Sequence, residues 1–143
     1  MLSPSLAGAH STMGAVLIFS GQLKEGLAEE QTALRLDPRS PTRADHLLRI
    51  AAGHYFCGAY EDAVEAAKQA IHSQPNSPLP YRFLAAALGQ LGRTEEAAEA
   101  LQRHVAIAPA ALESFVRYGL PFFRSEEHAH LVDGLRKAGM PEE

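Results

Sequence analysis

The sequence predicts an all-α fold: three helix pairs stacked in register, followed by capping helices at the C-terminal end. Three observations point there. Segments 28–38 (AEEQTALRLDP), 64–75 (VEAAKQAIHSQP) and 98–109 (AEALQRHVAIAP) end alike, on Pro38, Pro75 and Pro109. These prolines lie 37 and 34 residues apart, and Gly21, Gly58 and Gly92 keep the same spacing. A shared period in two independent markers is the signature of a repeat array, in which each unit buries its apolar face on its neighbours. Between each glycine and its proline runs a helical pattern. The glycine suits a tight turn, and the proline stops the helix because it lacks an N–H and clashes with the preceding turn.

Taken in order, the pattern places helices near 6–19, 23–35, 43–56, 60–72, 79–90 and 94–106. The three extra residues of the first spacing fall in 39–44 (RSPTRA), a Pro-containing connection where insertion costs little. Thr94, ahead of Glu95 and Glu96, is expected to cap its helix, and acidic residues suit that positive end. The units therefore span about 7–40, 44–77 and 78–111, and a cap covers 112–143, all in a single domain. In the cap, LESFVRYG (112–119) restarts the pattern and Pro121 cuts it short. Ser125, followed by Glu126, Glu127 and His128, opens a last helix, which Gly139 and Pro141 stop. Arg136 and Lys137 suit its negative end.

Composition narrows the function. The chain has 143 residues, 46% hydrophobic and 21% charged, with a net charge of −4. No Lys/Arg run offers a face for nucleic-acid phosphates. The apolar stretch Met13–Phe19 is too short to span a bilayer. Without a preceding positive charge or a cleavage site it does not read as a signal peptide, so the expected location is the cytoplasm. The lone Cys57 fits a reducing compartment and reads as a half-buried small residue. No nucleophile elbow, P-loop, dinucleotide fingerprint or HExxH occurs. Glu126 and His130, four apart, with His128 between them, fall short of three or four converging metal ligands. The expectation is no enzyme activity, no catalytic or metal site and no cofactor.

The alternation of large and small residues resembles the tetratricopeptide-repeat family. The third unit carries Tyr81, Leu84, Ala85, Leu88, Gly92, Ala97, Leu101 and Pro109. The second carries Leu47, Ile50, Ala51, Gly58, Ala63, Ala67, Ala70 and Pro75, and the first Met13, Gly14, Leu17, Gly21, Ala33 and Pro38. His10 and Leu47 replace the usual aromatic, Gly26 stands in place of alanine, and His104 in place of a small residue. The resemblance covers residues 7–111 and implies a right-handed superhelix whose first helices line a concave groove. The tail, ending GLRKAGMPEE, is similar to the C-terminal repeat region of bacterial cyclase-like or winged-helix regulatory proteins.

Carried across residue by residue, the resemblance implies a partner-binding groove that includes Phe19, Asp45, Leu48, Arg49, Tyr55, Phe56, Arg82, Phe83 and Gln90. Alanine at the ninth place of every unit (Ala15, Ala52, Ala86) removes the carboxylate clamp of chaperone-binding members. Arg49 has a plainer reading as an i, i+4 partner of Asp45. The expected function is a non-catalytic protein–protein interaction scaffold, in the partner-binding segment of a bacterial signalling protein. Its partner is a protein or peptide, or another domain of the same protein, with no nucleic acid and no membrane. The second reading is a self-association module: Val16, Leu17, Ile18 and Phe19 occupy every side of the first helix, and an uncovered apolar side suits a homodimer.

Overall fold

Each turn within a helix pair is closed by the same two backbone bonds. The computed structural model describes residues 4–119 and 124–141, leaving aside the side chains of Pro4, Ser5 and Phe19. Its helices are α1 (Pro4–Phe19), α2 (Leu23–Leu36), α3 (Arg43–Phe56), α4 (Tyr60–Ser73), α5 (Pro78–Gln90), α6 (Thr94–Ile107), α7 (Ala111–Tyr118) and α8 (Ser125–Lys137). After α1, the Gly21 N–H donates to Ile18 O (3.1 Å) and the Gln22 N–H to Leu17 O (2.8 Å). Gly58 with Ala59, and Gly92 with Arg93, repeat the pair at the ends of α3 and α5. The three glycines have φ of 89°, 82° and 76°, a region open to glycine at little cost. The two bonds satisfy carbonyls that the ending helix leaves free, and they turn the chain so that the second helix lies back on the first.

Helix bounds fall within a residue or two of the sequence expectation, and two local details differ. Thr94 is not a cap: it is the first helical residue of α6, and Arg93 sits at the cap position with no side-chain cap bond. Arg93 instead donates to Glu96 Oε2 at 2.7 Å. Cys57 is exposed rather than half-buried, since it sits at the end of α3 immediately before the turn.

Within each pair the helices meet through small residues. Ala33, Ala63, Ala67, Ala70 and Ala97 are fully buried. Gly26 shows why alanine is missing there: a Cβ would fall 2.8 Å from Gly14 O and 2.6 Å from Ile18 Cγ1. Each pair packs on the next, α2 on α3 and α4 on α5, and α1 also touches α3 as α3 touches α5. The first helices therefore form an inner row. α8 turns back across that row and packs on α5.

The apolar run of α1 is divided rather than exposed as a whole. Ile18 is buried at 2% exposure, Leu17 is half-buried, and Val16 is 58% exposed. The Phe19 side chain lies outside the described residues. What remains on the surface is a stripe of Leu6, Met13 and Val16.

Candidate functional site

The inner row has two halves with different surroundings. At the turn ends of α3 and α5 stand Tyr55, Phe56 and Gln90, and Phe83, from the middle of α5, packs on Tyr55 and Phe56. Tyr55 is fully buried, with the rings of Phe56 and Phe83 at 5.5 and 6.1 Å from its own. α8 covers this half. Tyr55 Oη donates to His130 O at 2.6 Å and accepts from Gln90 Nε2 at 3.2 Å. The His130 ring stacks 4.5 Å from the Tyr55 ring, and its Nε2 lies 2.7 Å from Tyr60 Oη. Gln90 also donates to Asp133 (3.1 Å) and accepts from Lys137 Nζ (2.9 Å).

These contacts trace the path of α8 across the repeats. Arg124, just ahead of it, lies over the first turn, where a Cβ on Gly21 would meet its Nη1 at 1.9 Å. His130 reaches the second pair through Tyr60. Gly134 lies against Tyr55 and Ala86, and its carbonyl lies against Gly89. Burial pushes the Tyr55 phenol well above its usual range and the His130 imidazole below its own. Hydrogen bonds from Lys137 and Gln90 hold Asp133 low.

The other half of the row is built differently. Asp45 is exposed, while Leu48 and Arg49 are half-buried. Arg49 does not pair with Asp45. Its Nη1 donates to Ser11 Oγ at 2.9 Å and lies 3.8 Å from Glu30 Oε2. Ser11 in turn donates to Glu30 Oε1 (3.1 Å) and lies 3.1 Å from His46 Nδ1. The far nitrogen of His46 lies 3.1 Å from Thr42 Oγ1. Since the serine proton goes to Glu30, the neutral His46 fits as Nδ1–H donor to Ser11 and Nε2 acceptor from Thr42. Glu30 has no exposed side-chain surface. Burial raises its carboxyl to about 7 against the opposing pull of Arg49 and Ser11, and burial followed by Arg49 lowers His46.

Arg82, expected in the groove, is only 4% exposed. Its guanidinium carbon sits 4.5 Å over the Phe115 ring of α7, and burial lowers its pKa to about 10. Beneath it His104 is fully buried with no hydrogen-bond partner at either ring nitrogen among the described residues. Burial, then the charge of Arg82, brings that imidazole down to about 4.

Sequence reasoning missed the covering partners Tyr60, Asp133, Gly134 and Lys137, and it missed Glu30. The last had a signal: Glu30 shares its register with Ala67 and Leu101, both buried, so a charge there is anomalous. Opposite it, Gly14 supplies room, since a Cβ would lie 2.7 Å from Glu30 Cγ.

No protein-family model matches the chain, and no curated protein matches it in sequence. Solved structures do. The first tetratricopeptide repeat domain of Spaghetti (RPAP3), bound to HSP90 peptide SRMEEVD, superposes with TM-score 0.73 at 15% identity, over 96% of this chain and 93% of that one. PcrH from Pseudomonas aeruginosa gives 0.72 at 19%, over 98% and 96%. MamA gives 0.70 at 17%, over 92% and 75%. The chain has the tetratricopeptide-repeat fold. In a tetratricopeptide array of this kind the inner row is the concave groove, and here half of that groove holds a helix of the same chain.

Proposed function

We propose that the chain is a non-catalytic protein-interaction scaffold whose binding site is the concave face of its tetratricopeptide repeats. One observation carries this reading: a helix already lies in the groove, and Tyr55 and Gln90, both at groove positions, hold it by hydrogen bonds. A surface that seats one helix by apolar contact and a few polar bonds is suited to seat a protein segment from elsewhere. The structural neighbour bound to an HSP90 peptide agrees with a peptide-sized ligand. The open half, with Asp45, Leu48 and Arg49, adds charge of both signs to the site. The resemblance of the tail supports placing the scaffold in a cytoplasmic bacterial signalling protein, as its partner-binding segment.

The test is a peptide-display selection on the full chain, followed by mapping with a photo-crosslinker. A crosslinker at Leu48 should label with selected peptides, and one at Lys68, on the exposed side of α4, should not. Labelling at Lys68 alone would move the site off the groove. The stripe of Leu6, Met13 and Val16 favours a second reading, self-association through α1.

A further inference from the structure

We propose that α8 is a resident ligand of the groove, and that the external partner is a helix of the same pattern which takes its place. This rests on the groove reading above and names the ligand class. The decisive geometry is a crossing of small residues. A Cβ on Gly134 would fall 2.4 Å from Tyr55 Oη, 2.8 Å from Ala86 O and 2.9 Å from Ala86 Cβ. A Cβ on Gly89 would fall 2.4 Å from Gly134 O. Both helices therefore need glycine where they meet, and the backbones touch. On either side of that crossing Leu131 and Leu135 are fully buried. His130 and Lys137 bond to Tyr60 and Gln90 at the flanks.

This arrangement specifies a ligand. It is an amphipathic helix with two leucine-sized anchors four apart and a glycine one place before the second. A hydrogen-bonding side chain stands one place before the first anchor, and a cation two places after the second. An extended peptide does not present these groups at helical spacing. The polar fastenings are few, and beyond the buried bond from Tyr55 they reach the rim, where the Lys137 and Asp133 side chains are about half exposed. The exposed rim pair adds little stability and gives way readily. A helix of 13 residues is also marginal once off its support.

Two measurements test this. The first is native-state hydrogen exchange on the wild-type chain. The α8 amides should exchange through a local opening of lower free energy than those of α3 and α5. If α8 exchanges only with global unfolding, it is a fixed cap and the proposal fails. The second uses full-length Gly134→Leu, which cannot keep α8 in place, and a fluorescent peptide of residues 124–141. The peptide should bind this variant saturably, and at least about 100-fold more weakly to wild type, whose own α8 competes at millimolar effective concentration. A peptide carrying Gly134→Leu should not bind, and adding Gly89→Leu to the receptor should abolish uptake of the native peptide. Absence of binding to a folded Gly134→Leu chain overturns the α8 proposal, while selected peptides that still label Leu48 would leave the groove reading intact. Binding that survives Gly89→Leu would place the peptide elsewhere and overturn the α8 proposal. Should Gly134→Leu fail to fold, the wild-type exchange experiment decides alone.

Discussion

At the scale of single residues, two buried titratable groups oppose each other. Glu30 has a folded pKa of about 7 against an ordinary 4.5. Between those values the folded chain holds more protons than the unfolded one, so this group lowers stability as pH rises from about 4.5 to about 7. The shift corresponds to at most roughly 3 kcal/mol. Glu30→Gln keeps an acceptor for Ser11 and removes the charge. Its stability should match wild type below pH 4.5 and exceed it by about 1–3 kcal/mol above pH 7, read from urea midpoints across a pH series. A difference that does not vary with pH would show that the carboxylate is not desolvated. His104 has the other sign: its folded pKa of about 4 lies below 6.5, so it costs stability as pH falls from about 6.5 through about 4. His104→Ala places there the residue found at the equivalent Ala33 and Ala70. It should cost about 1–3 kcal/mol at pH 7 through the void it leaves, and that cost should shrink on acidification. Glu30 was open to detection from its register, and His104 was visible as a departure from a small-residue position. What no spacing gave was the link from Arg49 to Ser11 and Glu30, which joins three helices.

At the scale of elements, helix bounds followed from turn and stop residues, because those signals act within a few residues of chain. The division of α1 did not. Val16, Leu17 and Ile18 are equally apolar, and only the positions of α2 and α3 decide that Ile18 is buried on Gly26 and Gly53. Ile18→Glu should therefore unfold the first repeat, with loss of helical circular dichroism, rather than release a folded monomer. The Tyr55 hydroxyl links α3 to both α5 and α8. Tyr55→Phe removes its bonds to His130 and Gln90 and should cost about 0.5–1.5 kcal/mol, since Gln90 keeps Asp133 and Lys137 as partners. The loss should appear as faster exchange of the α8 amides with those of α2 unchanged. Uniform acceleration everywhere would show that the hydroxyl serves global stability and does not act as a latch on α8.

At the scale of the whole molecule, the surface apolar stripe of α1 is one apolar feature that the array leaves uncovered. Leu6, Met13 and Val16 are 43%, 51% and 58% exposed. A contiguous apolar surface of this kind usually marks an interface. If copies of the chain associate there, Met13→Lys with Val16→Lys should lower the light-scattering mass at high concentration without changing the thermal midpoint. A wild-type mass that stays monomeric throughout would remove the self-association reading. The groove mutations should leave that mass alone, since α8 packs on α5 whereas the stripe lies on α1.

The sequence by itself determined the repeat, its 37- and 34-residue spacing, the positive-φ glycines and the order of the helices. These are written locally: a glycine turn and a terminating proline act on their own neighbours, and a period displays them three times. The resemblance to the tetratricopeptide-repeat family implied Tyr55, Phe56, Arg82, Phe83 and Gln90 as groove positions. Only the tertiary structure decided that α8 lies over Tyr55 and Gln90 and that Arg82 is buried against Phe115. That outcome depends on where the chain after α7 returns. It is settled by the fit of Gly134 against Gly89 and Ala86, residues 45 or more positions apart. No periodic signal spans that distance, and a glycine in isolation does not say which backbone it is small enough to meet.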